Sequence, residues 1–295
     1  MKHLKHHGYL YICILCVFAS LGAFLYGRFI EPKLLVVKEY SIVPQEKNQS
    51  LQGLKIGIFS DTHLGFAYTP EQLEKVVDTI NQQEYDILLF LGDLIDNYQD
   101  YIKEHPEGEK NRQKIVAVLG KTESKYGKFA VFGNHDLGAM GQWDYPIIMK
   151  EAGFQVLQNS HIQLEINEAQ LNIIGLDDWM LGVQDTESAF ANLIPGDFQL
   201  LLAHEPDVID EIISKTETPL HLFIAGHSHG GQVRLPFFQE TFMPPYAKKY
   251  IRGWYKTENT AAQETTDIFV TSGIGSTGIP FRFLNVPEII TIHLE

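Results

Sequence analysis

The chain has 295 residues, enough for one large domain or two small ones with a buried core. Apolar residues make up 44% and charged residues 20%, a composition that excludes a disordered or collagen-like chain. The formal net charge of −14 disfavours nucleic acid as a partner, because gripping a phosphate backbone requires a basic surface. Both cysteines, Cys13 and Cys16, lie near the N-terminus, so the rest of the chain has neither a disulfide nor a thiolate metal site.

The N-terminal segment predicts a membrane anchor. Residues 8–27 carry no charge, and at a rise of about 1.5 Å per residue they cover the hydrocarbon core of about 30 Å. A cleaved signal peptide is the alternative, but its apolar region is usually shorter, and no clear cleavage motif ends this run. We therefore expect an anchor over residues 1–28, a connecting segment over 29–53 and a domain over 54–295.

The side of the membrane is less well determined. Lys2 and Lys5 precede the apolar run and favour a cytoplasmic N-terminus, which places the domain on the extracytoplasmic face. Arg28, Lys33 and Lys38 follow the run and weaken this preference. The sequence thus predicts a single-pass anchor and leaves its orientation open, with more weight on an extracytoplasmic domain.

Short apolar runs that end in polar clusters recur along the domain. They cover residues 54–60, 86–91, 128–132, 198–203 and 220–225. Runs that are apolar nearly throughout are typical of strands covered on both faces. Residues 70–82 predict an amphipathic helix capped by Thr69, and residues 205–215 a weaker helix. Alternating segments within 154–176 and 267–294 fit further strands, expected in a second sheet.

Alternation of strands and helices predicts an α/β domain, in which functional groups gather at the carboxyl ends of the strands. The polar residues expected to meet there are Asp61, His63, Asp93, Asn134, His135, Asp136, His204, His227 and His229. Carboxylate and imidazole donors without thiolates suit Mn²⁺, Fe or Zn²⁺, and the set is too large for one ion.

Each motif is weak by itself. An Asp-x-His triplet arises easily by chance, and Gly196-Asp197 is a second Gly-Asp pair that precedes a strand, as expected for a turn. A single histidine is more often structural than a ligand. The evidence for a metal site is the conjunction of five motifs, each directly after an apolar run.

The order DTH, GDLID, GNHD, H and GHSH, from Asp61 to His229, resembles the calcineurin-like metallophosphoesterases. The stretches GHSHGGQVRLPF and SGIGSTGIPFRFLNVPEI are similar to a membrane-anchored bacterial branch related to UDP-2,3-diacylglucosamine pyrophosphatases. This resemblance implies a four-layer α/β/β/α sandwich with an N-terminal transmembrane helix and two divalent metal ions.

The resemblance also implies a role for each residue. Asp61, His63 and His229 would hold one ion, Asn134, His204 and His227 would hold the other, and Asp93 would bridge the two. His135 would face the scissile phosphate, oriented by Asp136. Manganese is the expected metal, with iron or zinc as alternatives.

The implied reaction is hydrolysis of a phosphodiester or pyrophosphate bond by metal-activated hydroxide. The anchor favours a lipid-linked substrate, such as a UDP-diacylglucosamine-type glycolipid, although an extracytoplasmic domain could not reach cytoplasmic nucleotide-lipid intermediates. A phosphomonoesterase or phosphoprotein phosphatase and an inactive binding scaffold are the alternatives; the scaffold is disfavoured because every ligand position and His135 are filled. Besides substrate and membrane we expect no nucleic-acid partner, and we infer no obligate protein partner.

A glycine-rich segment near the C-terminus is a candidate substrate contact. Gly273, Gly275 and Gly278 permit a close backbone approach and an anion-binding nest, or form a turn between strands. Arg282 follows closely, as a contact to a substrate phosphate or as surface charge.

Overall fold

The computed structural model describes residues 2–44, 46–65, 67–194, 196–235, 243–259 and 264–295, without the side chains of residues 2–8, 46 and 47. Residues 236 and 237, at the end of one stretch quoted above, lie outside these ranges.

Two six-stranded sheets form the centre of the described structure. Their strands are β1 Val36–Ile42, β2 Lys55–Phe59, β3 Ile87–Phe90, β4 Lys128–Ala130, β5 Gln155–Val156, β6 Ser160–Ile166, β7 Ala169–Gly175, β8 Phe198–Leu202, β9 Leu222–Ala225, β10 Gly253–Asn259, β11 Glu264–Val270 and β12 Glu288–Leu294. The first sheet has the order β1-β12-β2-β3-β4-β5, parallel except between β12 and β2. The second has the order β10-β11-β9-β8-β7-β6, parallel except at its two outer pairs.

Helices cover the outer faces of both sheets. The helices of the described structure are α1 Lys2–Leu25, α2 Pro70–Asn81, α3 Gly108–Leu119, α4 Asn134–Leu137, α5 Gly141–Glu151, α6 Thr186–Phe190 and α7 Ile209–Lys215, of which α1 does not lie on a sheet. Helices α2, α3 and α5 share an apolar core with the first sheet, and α6 and α7 share one with the second. A third core fills the space between the sheets, where Ile58 and Leu89 belong to the same cluster as Leu200 and Ile224. The four-layer α/β/β/α sandwich is therefore confirmed.

The apolar runs form the predicted strands. The five runs that precede polar clusters are β2, β3, β4, β8 and β9. Helix α2 covers the predicted residues, and the Gln72 side chain accepts the backbone N–H of Thr69 at 3.0 Å, as in a capping box. The weaker helix at 205–215 is a short 3₁₀ turn, Pro206–Val208, followed by α7.

Two segments differ from the expected arrangement. The last alternating segment is β12, which lies between β1 and β2 in the first sheet and not in the second. Residues 29–53, expected to connect anchor and domain, contain β1, which pairs with β12 over its whole length. The division of the chain at residue 54 stays a prediction.

The N-terminal helix projects from the sandwich. Residues Tyr9–Lys33 are a candidate membrane span by length and composition, and within this segment only Gly27 and Glu31 are buried. Helix α1 is the first part of this span, which continues through short turns to Lys33.

Candidate active site

Strand ends from both sheets meet at one cavity of about 600 Å³. The residues after β2, β3 and β4 come from the first sheet, and those after β8 and β9 come from the second. Six predicted site residues line the cavity directly: His63, Asp93, Asn134, His135, His227 and His229. Asp61 and His204 are buried behind them.

The first group of candidate metal ligands consists of Asp61, His63 and His229, whose ligand atoms lie within 4.8 Å of one another. The Nε2 atoms of His63 and His229 are 3.0 Å apart. His229 Nε2 is 3.6 Å from Asp61 Oδ1.

The second group consists of Asp93, His204 and His227, with the same spacing limit of 4.8 Å. Asp93 Oδ2 lies 3.1 Å from His204 Nε2 and 3.4 Å from His63 Nε2. One carboxylate oxygen thus faces a ligand of each group, which is the geometry that a bridging carboxylate needs.

Several ring nitrogens are fixed by a second partner. His63 Nδ1 is 3.2 Å from an Asp96 carboxylate oxygen, His204 Nδ1 is 2.6 Å from the Leu91 carbonyl oxygen, and His227 Nε2 is 2.9 Å from the Pro245 carbonyl oxygen. Donation of N–H to these oxygens leaves the other nitrogen of each ring as a lone-pair donor toward the cavity.

Unsatisfied polar atoms test whether the residues fit metal ions. Asn134 Oδ1 is buried without a hydrogen-bond partner in the described part of the chain, and the lone pair of His204 Nε2 faces a carboxylate oxygen of Asp93 in place of a donor, although buried polar atoms are nearly always paired. An amide oxygen and an imidazole nitrogen are both ligands for divalent cations. The residues therefore fit two ions.

The backbone at the site is held in a sparsely populated conformation. Asp61, His63, Asp93, His227 and His229 have φ angles between 44° and 65°. Non-glycine residues in this left-handed region each cost about 1–3 kcal/mol, and such strain clusters at functional sites. The fold therefore retains these five side-chain positions at a cost in stability.

A family comparison agrees with this geometry. Residues 54–231 match the family model of the calcineurin-like phosphoesterases. The chain is a calcineurin-like metallophosphoesterase. It is accordingly a metal-dependent phosphoric ester hydrolase, and the paired ligand groups support a dimetal site.

Relatives of this phosphoesterase match along most of its length. The uncharacterized metallophosphoesterase YkuE of Bacillus subtilis (strain 168) is 36% identical over 275 residues, 93% of this chain and 90% of its own. Metallophosphoesterase YkoQ of the same organism is 27% identical, over 92% and 94% of the two chains. A Danio rerio transmembrane protein with metallophosphoesterase domain is 26% identical over 90% of this chain, which spans 57% of that longer protein.

The electrostatics of the metallophosphoesterase site favour metal-binding protonation states at Asp93 and His227. Burial alone would raise the pKa of Asp93, but the nearby His204 and His135 hold it well below its usual range. Burial, and then the charge on His204, lower the pKa of His227 to about 3. At neutral pH the carboxylate is therefore ionised and His227 is neutral, as coordination requires.

Asp136 has a different partner from the one expected. Its carboxylate accepts the backbone N–H groups of Asp93 at 2.7 Å and Leu94 at 3.0 Å, and the Tyr98 hydroxyl at 2.8 Å. The Asp136 carboxylate therefore stabilises the loop that carries Asp93 and does not orient the His135 ring.

Asp96 is the partner that sequence reasoning missed. Its carbonyl oxygen lies 2.6 Å from His135 Nδ1, and its carboxylate faces His63. The signal was present as the second acidic residue of the GDLID motif, whose first is Asp93.

Arg282 is fully buried, and its guanidinium donates to the carbonyl oxygens of Gly275, Asn285 and Ser272 at 2.8, 3.2 and 2.9 Å. Burial lowers its pKa to about 10, so it remains charged at neutral pH. This geometry favours a structural role for Arg282, in which it holds its own loop in place, and it disfavours the predicted contact with substrate.

The glycine segment packs against the metal site. A Cβ at Gly273 would lie 2.8 Å from the Asp61 Cβ, and one at Gly275 would lie 2.1 Å from the Thr62 carbonyl oxygen. The Gly275 N–H donates to the Asp61 carbonyl at 2.7 Å, so it is not free for an anion. These two glycines permit close packing, whereas a substrate contact at the exposed Gly278 stays a prediction.

Proposed function

We propose that this phosphoesterase hydrolyses a phosphodiester or pyrophosphate bond in a lipid-linked substrate at a membrane surface, such as a UDP-diacylglucosamine-type glycolipid. One observation carries the proposal: the cavity that holds the ligands is also walled by Met180, Val233, Leu235 and Pro244. A cavity that combines polar candidate ligands with apolar lining residues suits a phosphoester that is attached to an apolar group.

Different residues of the chain have different roles in the proposed phosphoester cleavage. Two divalent ions, when bound, supply hydroxide at neutral pH and neutralise the charge of the phosphate. Asp136 fixes the Asp93 loop through two backbone N–H groups, so the bridging carboxylate is preorganised. The ring of His135, held by the Asp96 carbonyl, lies at the cavity and is positioned to donate a proton to the leaving oxygen.

Manganese is the metal that we propose for both positions. The first ligand group has one carboxylate and two imidazoles, and the second adds an amide oxygen from Asn134. This mixture of oxygen and nitrogen donors without thiolate suits Mn²⁺, with Fe and Zn²⁺ as competitors. Elemental analysis of protein purified without added metal identifies the native pair.

A substrate panel tests the reaction. The full chain in lipid nanodiscs with Mn²⁺ is assayed on bis-p-nitrophenyl phosphate, p-nitrophenyl phosphate, UDP-sugars and a UDP-diacylglucosamine, with Asp93→Asn as the inactive control. We expect the diester and the glycolipid pyrophosphate to be cleaved with the higher kcat/KM. Faster cleavage of the monoester would indicate a phosphomonoesterase, and no cleavage at all a binding scaffold.

Membrane anchoring and orientation belong to the same proposal. The candidate span Tyr9–Lys33 supports a single N-terminal anchor, and the name of the Danio rerio relative agrees with one. We propose an extracytoplasmic domain, in which case the physiological substrate is a lipid-linked phosphoester of the outer leaflet. Protease access to the domain on intact cells decides the side, since a protected domain would instead expose the site to cytoplasmic nucleotide-lipids.

A further inference from the structure

The C-terminal end of the candidate span is docked onto the domain. Its partner is the loop of residues 271–287 between β11 and β12, here called the docking loop. The rings of Phe24 and Phe281 stack with centroids 5.9 Å apart, and the Gly27 carbonyl accepts the Arg282 N–H at 3.0 Å. Gly27 is required here, because a Cβ at this position would lie 2.5 Å from the Phe281 ring. The anchor is therefore packed against the domain and is not joined to it by a free tether.

Glu31 extends this docking to the metal site. Its carboxylate is fully buried and accepts the backbone N–H groups of Leu284, at 2.9 Å, and of Asn285. The Asn285 side chain in turn donates to the carbonyl oxygen of the metal-ligand residue His229 at 2.5 Å. The direction of the span is thus fixed relative to the catalytic cavity.

The docking loop also forms part of the cavity wall. Thr277 and Gln232 both line the cavity, and the Gln232 side-chain amide donates to the carbonyls of Thr277 and Ile279 at 3.1 Å each. One loop therefore contacts the anchor on one side and bounds the cavity on the other.

Glu31 sets the depth of this loop relative to a bilayer. Residues 8–27, which carry no charge, measure about 30 Å at about 1.5 Å per residue, which matches a hydrocarbon core of about 30 Å. A charged side chain inside hydrocarbon is costly, so the apolar layer ends near Arg28, three residues before Glu31. The backbone of Leu284, bonded to Glu31, must then lie at the level of the lipid headgroups.

Large apolar side chains are exposed at the end of the span, in the docking loop and in the segment that pairs with this loop at Val233 and Phe283. They are Ile30, Leu34, Leu235, Ile279 and Leu284, here called the junction patch. Ile279 is 72% exposed and Leu284 is 58% exposed, and Leu284 has a φ of 55°, which disfavours a branched residue. Arg28 and Lys33 flank the patch, as is common for residues at a headgroup layer. Exposed apolar groups beside a span and a basic flank fit a lipid interface.

We propose that the junction patch inserts into the interface of the bilayer, so that the mouth of the catalytic cavity faces the lipid surface. This inference rests on the anchoring in the proposed function and names the surface that presents a lipid-linked substrate to the site. The partner is the bilayer itself, and the orientation follows from the docking of the span on the loop.

Site-specific fluorescence tests the contact without any assay of activity. Cys13 and Cys16 are replaced by alanine, and a single cysteine carrying an environment-sensitive probe is placed at position 279, 284 or 43. Val43 is the matched control, because it is 80% exposed and follows the far end of β1, about 20 Å along the strand from the anchor. The full chain is reconstituted in nanodiscs of equal parts phosphatidylcholine and phosphatidylglycerol.

Probes at 279 and 284 are expected to be quenched by spin-labelled lipid and protected from iodide, whereas the probe at 43 behaves in the opposite way. Quenching of all three probes by iodide alone would overturn the inference.

Hydrolysis of soluble bis-p-nitrophenyl phosphate, measured on the same samples, reports folding and the proposed function separately. The double change Ile279→Ser with Leu284→Ser is expected to lower the rate on a bilayer-embedded phosphodiester roughly tenfold and to leave the rate on the soluble diester unchanged, unlike Val43→Ser, which alters neither.

Discussion

The surroundings of His135 suit this residue to the proposed role of proton donor at the candidate active site. Burial alone would lower the pKa of this imidazole, but the Asp93 carboxylate and the Asp96 carbonyl outweigh burial and raise it above its usual value. A raised pKa means that the imidazole is protonated to a higher pH than in water, and the proton is lost as pH rises through that value. The donor is therefore available near neutral pH and absent in alkali.

This environment predicts a leaving-group dependence for His135→Gln. For esters with an alkyl leaving group, kcat is expected to fall about 10²–10⁴-fold, because the departing oxygen needs a proton. For p-nitrophenyl esters the loss is smaller, since p-nitrophenolate is a stable anion. The wild-type kcat for alkyl esters falls as pH rises through the His135 pKa, and the variant lacks this alkaline limb. The measurement is kcat against pH for both ester classes, with bound metal determined in parallel.

His161→Gln is the matched control for this substitution. His161 also directs Nδ1 at a carbonyl oxygen, that of Ala189 at 3.0 Å, but it lies on β6 and does not line the cavity. It should keep the wild-type pH profile. Loss of metal from His135→Gln would contradict the role of proton donor and make His135 a ligand.

Among the secondary-structure elements, local sequence patterns predicted those strands and helices whose formation depends on residues close together in the chain. The apolar runs at β2, β3, β8 and β9 and the single stripe of α2 are short-range signals, and the structure confirms them. The polar clusters after these strands converge because parallel strands end at the same edge. The constellation of candidate ligands was for this reason visible in the sequence.

Contacts between distant segments were not visible in this way. Strand β1 is half exposed and pairs with a partner strand 252 residues further along the chain, so its sequence pattern resembles that of a connecting segment. Arg282 appeared to be a surface or substrate-binding cation, yet it is buried by carbonyl groups of its own loop. Asp136 is next to His135 in sequence, but the short helix α4 turns its carboxylate toward Asp93. Direction and burial of a polar side chain depend on tertiary packing, which periodicity does not encode.

The docking of the anchor on its loop predicts a stability effect for Glu31→Ala. Removal of the carboxylate leaves the backbone N–H group of Asn285 without its acceptor in a buried site, and that of Leu284 without its acceptor in a partly buried one. An unsatisfied buried donor costs about 1–3 kcal/mol, so the free energy of unfolding should fall by about this amount. Denaturant unfolding of the full chain in detergent, followed by tryptophan fluorescence, measures the change.

Glu39→Ala is the control for the same segment of the chain. Its side chain is exposed on β1 and contacts only a partly exposed histidine, His293, among the described ion pairs. Substitution of such a surface group should change stability by less than about 0.5 kcal/mol. Equal destabilisation by the two variants would contradict the docking role of Glu31.

For the whole molecule, the candidate metal site would form a cross-link between the two sheets. The first sheet supplies Asp61, His63, Asp93 and Asn134, and the second supplies His204, His227 and His229. Even without a cation the two sheets are in contact here, since the Asp61 carboxylate accepts the backbone N–H of His227 at 3.1 Å and the His204 ring lies 2.6 Å from the Leu91 carbonyl oxygen. Ions bound to ligands from both sheets would stabilise the packed sandwich and not the unfolded chain.

This cross-link predicts that metal removal destabilises the whole domain. An ion at 100 times its Kd stabilises the folded state by about 2.7 kcal/mol, and each kcal/mol moves Tm by about 2–4 °C in a domain of this size. Chelation should therefore lower Tm by roughly 5–10 °C, and Mn²⁺ should restore it.

Asp93→Asn should lose most of this metal-dependent shift in Tm, because the Asp93 carboxylate faces both ligand groups. Asp197→Asn, in the second Gly-Asp pair, should keep it, since that carboxylate accepts from Gln163 and Asn172 away from the cavity. Scanning calorimetry with parallel elemental analysis measures both quantities, and an unchanged Tm in protein that has lost its metal would contradict a cross-link between the sheets.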